Sequence, residues 1–169
     1  MGLDSTHLVG AVFVGIGAAL IMDLWNLFLR RALNISSLSF CFIGRWLSFM
    51  LTGTFTHANI AATPKRPGEC AIGWTAHFLI GVAFALLLVI PTSGGWLEHP
   101  ALLPALLVGV GTVLIPYLIV QPALGLGIAS ANTPNPTQAR LKSLMTHTAF
   151  GIGLYLAGVI WNFLMHASL

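Results

Sequence analysis

The sequence predicts an all-α integral membrane protein: a four-transmembrane-helix bundle with an interfacial amphipathic helix in its first long connection. Three observations carry this. First, 57% of the 169 residues are apolar and only 7% are charged, with a mean hydropathy of +0.91, whereas a soluble domain carries about a quarter charged residues. Second, seven Lys and Arg plus four Asp and Glu are too few to coat a soluble core of this size. Third, four windows reach the roughly 20 apolar residues that cross the hydrocarbon core of a bilayer. The chain reads as a single membrane domain over residues 1–169.

The windows are residues 8–29, 72–92, 102–124 and 144–165. The first differs from a signal peptide in its long apolar run, in a flank, MGLDSTH, that holds an acid and no Lys or Arg, and in the lack of a small-residue cleavage pattern. It is therefore expected to be a retained helix. The connection 30–71 is too long for a turn and too polar to span. Its middle, SSLSFCFIGRWLSFMLTG, offers Ser36 or Ser37 as N-cap, an aromatic and aliphatic body, and Gly53 as a stop. An amphipathic helix lying in the interface, with Trp46 at head-group level, fits that pattern. Pro64, Pro67 and Gly68 then make HANIAATPKRPGE a loop. The second connection, 125–143, is rich in small and turn-forming residues and holds no continuous helix signal past Ala131.

Orientation follows from the cations. Arg30, Arg31, Arg45, Lys65 and Arg66 precede the second span, and Arg140 and Lys142 lie between the third and fourth. The N-terminus, the 93–101 loop and the C-terminal tail carry none. The positive-inside rule then puts both long connections in the cytoplasm and both termini in the periplasm of a bacterial inner membrane. The net charge of +3 is explained by this sorting and by contact with anionic head groups, so nucleic acid is not an expected partner. Cys41 and Cys70 both fall on the cytoplasmic side, where thiols stay reduced. Lacking C-x-x-C spacing, they are expected to be ordinary buried thiols rather than a disulfide or a metal site.

Residues four apart share a helix face. Ala11, Gly15, Ala19 and Asp23 form such a stripe in the first span, Gly73, His77, Gly81 and Ala85 in the second, and Ser143, His147, Gly151 and Tyr155 in the fourth. Small residues mark the faces on which membrane helices approach closely. The ionisable members are thus expected to point into the bundle, in the cytoplasmic half, with Gln121 near the end of the third span. Pro116 should kink that span by removing a helical donor. IMDLW and IVQPA each precede a cytoplasmic connection, and HFLIG and HTAFG each follow one. This echo is what two out-in-out hairpins related by an axis along the membrane normal would produce.

DLW at 23–25, GRW at 44–46, GECAIGWTAH at 68–77, and above all the block 121–158 resemble the domain of unknown function 2938 family of small bacterial membrane proteins. The resemblance covers nearly the whole chain. It implies a four-span inner-membrane protein and carries over no activity, substrate or cofactor.

Ionisable groups within a span cost about 2.5–3.5 kcal/mol at mid-helix and usually have a function. The candidate solute- or ion-binding residues are Asp23, His77, His147, Gln121, Arg45 and His57, of which Asp23, His77 and His147 have the ligand types for a divalent metal. Each also has a structural reading. Asp23 would pair with Arg45, the histidines would bridge helices, and Arg45 and His57 would touch head groups. Glu69 suits a positive helix start, and His7, Glu98, His99 and His166 are expected to be solvated. Three functions remain: binding or transport of a small solute, proton or metal ion; a membrane-embedded enzyme acting on a lipid-like substrate; or a non-catalytic partner subunit. No H-E-x-x-H, G-x-S-x-G, Walker loop or C-x-x-C-H occurs, so the enzyme reading lacks a motif. Four short helices leave little room for alternating access within one protomer, so a transporter would be at least a dimer.

Overall fold

The computed structural model describes residues 3–35 and 37–167, and among them there is no strand. Seven α-helices are present: α1 (Ser5–Leu33), α2 (Phe40–Met50), α3 (Glu69–Val89), α4 (Gly95–Glu98), α5 (Leu102–Gly111), α6 (Gln121–Ala123) and α7 (Pro136–His166). Four stretches are long and apolar enough to cross a membrane: Ser5–Leu33, Glu69–Val89, Leu102–Ala123 and Pro136–His166. The chain is a multi-pass membrane protein on the strength of that composition.

The ends of these helices follow local chemistry. Asp4 caps α1 by accepting from the His7 backbone N–H at 3.0 Å, while His7 Nδ1 accepts from the Asp4 N–H at 3.2 Å. His7 is thus part of a capping box and only partly exposed, rather than freely solvated as expected. At the other end Asn34 takes a left-handed φ of 54° and returns its N–H to Leu29 O, with Arg30 and Arg31 in the last turn, where cations complement the helix dipole. The N-cap of α2 is Ser39, which accepts from the Cys41 N–H at 3.3 Å; Ser37 precedes the helix and Ser36 lies outside the described residues. The helix ends at Met50, ahead of Gly53.

The fourth span starts well before residue 144. Pro136 supplies a preset φ at the first helical position, and Asn135 Oδ1 accepts from the Gln138 N–H at 3.2 Å. The third span contains the interruption expected at Pro116, in the form of a π-helical turn over Pro116–Val120 in which the Gln121 N–H returns to Pro116 O. With no N–H of its own, proline loosens the ladder, and the wider turn takes up the slack.

By its contacts the chain divides into two compact units: residues 3–35, 78–112 and 146–167 within the first, and 37–77 and 113–145 within the second. The first is a helix bundle. In it Gly15 of α1 lies directly on the backbone of Gly81 and Val82 of α3, and Gly109 of α5 on Gly151 of α7. Gly153 lies on Ala18, and a Cβ at Gly15, Gly109 or Gly153 would fall under 3.0 Å from neighbouring backbone, while one at Gly81 or Gly151 would sit at that limit. The small-residue stripes therefore face inward, as their spacing predicts, and the two H-x-x-x-G glycines, Gly81 and Gly151, each sit at one of the crossings. Ala11, Val14, Ala18, Ala85, Leu154 and Phe150 fill the core around them.

Candidate functional site

The second unit is built mainly from the two long connections, and its polar contacts join residues distant in sequence. Gly44 of α2 meets the backbone at Glu69 and Gly73, and Gly73 in turn meets Phe40 O. Only residues without a Cβ allow the starts of α2 and α3 to come this close. The approach brings together two pairs that the sequence separates widely. Arg45 and Glu69 form a bidentate ion pair, Nε to Oε2 and Nη2 to Oε1, both at 2.8 Å. Cys41 and Cys70 form a disulfide with an S–S distance of 2.05 Å and a Cα–Cα distance of 4.0 Å. The expectation of two free, buried thiols is overturned. Cys70 is moreover exposed, and helix crossing at glycine places the sulfurs in bonding range regardless of sequence spacing.

Arg45 is 3% exposed. Besides Glu69 it donates from Nη1 to the carbonyl oxygens of Ile60 and Thr63, each at 3.0 Å, so four of its five N–H donors are used. Its guanidinium, held above the ordinary arginine value by the Glu69 hydrogen bonds, pins the loop 60–63 to the base of α3. Its ion-pair partner is Glu69 and not the Asp23 that the sequence offers. Glu69 Oε2 also accepts from the Arg66 N–H at 2.9 Å, which completes a buried, charge-assisted network.

The second connection is tied to the first. The His57 N–H donates to Ala123 O at 2.8 Å and the Ile60 N–H to Leu124 O at 3.1 Å. Gly125, at φ +89°, lies against the Ala58 backbone. Ala129 and Ser130 adopt φ of 47° and 60°, a region that non-glycine residues enter at a cost and that clusters at functional sites. The same unit holds three buried side-chain atoms with no hydrogen-bond partner in the protein: His57 Nε2, Arg66 Nε and Gln121 Oε1. His57 meets the Phe49 ring edge-on at 5.0 Å between centroids, and Arg66 Cζ lies 4.2 Å over the same ring. Gln121, 7% exposed, is two residues before the carbonyl that holds His57, and its Nε2 donates to Ser143 Oγ at 3.4 Å. Buried polar groups normally find partners, so these three orphaned atoms are spare bonding capacity within the second unit.

The remaining sequence candidates have other settings. His77 stacks on Phe40 with centroids 4.1 Å apart and meets Trp74 edge-on at 5.8 Å. In the bundle, His147 Nδ1 is 3.0 Å from Thr112 Oγ1, whose own proton goes to Gly109 O at 2.7 Å. The hydroxyl is therefore the acceptor and Nδ1 carries the hydrogen, a bond that joins α7 to the residue capping α5. Asp23 is partly exposed on α1. Among the described residues no group of three or more His, Cys, Asp and Glu is arranged to hold a metal ion. Three contributors escaped sequence reasoning. Arg66 was seen only as a topogenic cation, Phe49 as an apolar filler, and Asn26, which accepts from Thr146 Oγ1 at 3.1 Å, was passed over.

The family model described as Protein of unknown function (DUF2938) matches residues 12–161. The chain belongs to this family. The DUF2938 match takes in both compact units, from within α1 to within α7, and so includes the Arg45–Glu69 pair, the disulfide and the three orphaned atoms. No curated protein and no solved structure matches the chain.

Proposed function

We propose that this DUF2938 protein binds a small polar solute on the seam between its two connections and, as an oligomer, passes it across a bacterial inner membrane. The single observation behind this reading is the set of orphaned atoms: Gln121 Oε1 accepts, Arg66 Nε donates, and His57 Nε2 does either. A zwitterion or an amide, with donor and acceptor on one small frame, matches that set. The orientation proposed with it places the connections in the cytoplasm and the termini in the periplasm. Exposed Arg30, Arg31, Lys65 and Arg140 support it through the positive-inside bias, and a periplasmic signal from a reporter fused after Leu169 is the expected result.

Gln121→Leu tests the site. A buried oxygen without a partner is a stability cost of about 1–3 kcal/mol, so the Leu variant should melt at or above the temperature of the wild type. It should lose the upward shift in Tm that amino acids or small amides give the wild type, about 2.7 kcal/mol of stabilisation at a hundredfold excess over Kd. A Leu variant that melts lower would make Gln121 a structural bridge to Ser143, and one that keeps the shift would remove it from the site.

A further inference from the structure

We infer that the Cys41–Cys70 disulfide is a reversible thiol–disulfide exchange site, entered at Cys70 and in equilibrium with small thiols and disulfides of the glutathione type. The inference rests on the orientation proposed above, because a disulfide facing the cytoplasm is exposed to a reducing thiol pool.

Three features of the second unit favour exchange over a permanent staple. The contact does not depend on the bond. Cys41 and Arg45 are four apart on α2, Glu69 and Cys70 are adjacent on α3, and the Gly44–Gly73 crossing lies between them. The glycine approach and the bidentate ion pair hold the same two helix starts whether or not the sulfurs are joined. Next, each cysteine is the second residue of its helix, and a helix start favours the thiolate, the form that attacks a disulfide. Finally, the two residues are unequally open: Cys70 is exposed, while Cys41 is partly covered. An incoming thiolate thus reaches Cys70 first, and Cys41 stands in range as the resolving partner.

The chemistry balances without a further reagent. In oxidation the Cys70 thiolate attacks one sulfur of a small disulfide RSSR, forming a mixed disulfide and releasing RS⁻. The Cys41 thiolate then attacks the Cys70 sulfur, closing the protein disulfide and releasing the second RS⁻. The two protein thiol protons leave on two RSH, so the protein loses two electrons and RSSR gains them. Reduction by two RSH runs the same steps backwards.

The test is acid quenching of intact cells, followed by alkylation with a maleimide-polyethylene glycol that shifts each free thiol on a gel, with and without brief diamide or dithiothreitol treatment. The expected result is a pair that moves between the two-thiol and zero-thiol forms within minutes in both directions. Folded protein in lipid should do the same against reduced and oxidised glutathione. Cys41→Ser should keep the wild-type elution profile and take up a single glutathione at Cys70. A pair that stays oxidised through dithiothreitol in folded protein, while the Leu169 fusion reports periplasm, overturns the exchange site and leaves the orientation standing. A pair permanently oxidised in cells with a cytoplasmic Leu169 signal overturns the orientation, and with it the inference. A pair that never oxidises under diamide overturns the inference alone.

Discussion

In the helix bundle, chains meet backbone to backbone; in the unit made from the two connections, they meet through long side chains. Gly15 on Gly81 and Gly109 on Gly151 need no polar partner, and the bundle's hydrogen bonds, Thr112 with His147 and Thr146 with Asn26, join one helix to the next. The other unit spends Arg45 on Glu69, Ile60 and Thr63 together and adds a disulfide. It still leaves His57, Arg66 and Gln121 with buried atoms unpartnered; among the described residues the bundle has one such atom, Trp25 Nε1. Close packing without side chains makes a scaffold, and the unspent bonding capacity of the other unit is what the proposed solute site rests on.

Three substitutions would break or sharpen that contrast. The largest effect is expected from Glu69→Ala, which leaves Arg45 charged, buried and without its partner at a cost of about 3–5 kcal/mol. Limited trypsin digestion after the exposed Lys65 should then run faster than in the wild type, while amides of α1 and the second half of α7 keep their slow hydrogen exchange. Simultaneous loss of protection in both regions would show one cooperative block and end the distinction. Gly109→Val should do the reverse. Its side chain meets the Gly151 backbone, overpacking costs about 1–3 kcal/mol, and the Tm in detergent should fall with the rate of cleavage after Lys65 unchanged. The smallest effect belongs to Thr112→Val, which removes the acceptor for His147; hydrogen bonds between membrane helices average about 0.6 kcal/mol. A larger loss would mean that His147 supports more than the helix contact.

The bundle was largely legible in the sequence because its determinants are local and periodic. Apolar runs set the spans, stripes of small residues at a spacing of four set the faces, and Pro116 marked the interruption. Boundaries drifted where capping chemistry outweighed hydropathy: Asn135 and Pro136 start α7 eight residues before its apolar run, and α4 was hidden in a loop of glycines. The second unit was far less legible. Nothing in the spacing of Cys41 and Cys70, or of Arg45 and Glu69, says that they meet; Gly44 and Gly73 bring them together, and a lone glycine in each of two segments does not announce its partner. Gln121 stands out as a polar residue in apolar company, and His57 as a titratable ring in the connection that holds Arg45. Arg66 does not, because a cation beside Lys65 in a proline-rich loop reads as a solvated charge.

The 31 residues of α7 make a helix about 46 Å long at 1.5 Å per residue, against a hydrocarbon thickness of about 30 Å. The surplus lies at its start, where Gln138, Arg140, Lys142 and Ser143 interrupt the apolar character and Arg140 Nε donates to Ala129 O at 2.8 Å. The apolar part begins only at Leu144, so the polar turns before it are helix that a thinner bilayer would leave in the head-group layer without drawing charge into hydrocarbon. Modest hydrophobic mismatch costs only fractions of a kcal/mol per ångström. The helix thus equips the protein to tolerate membranes of differing thickness, and its Tm should vary little between vesicles of short-chain and long-chain phospholipid.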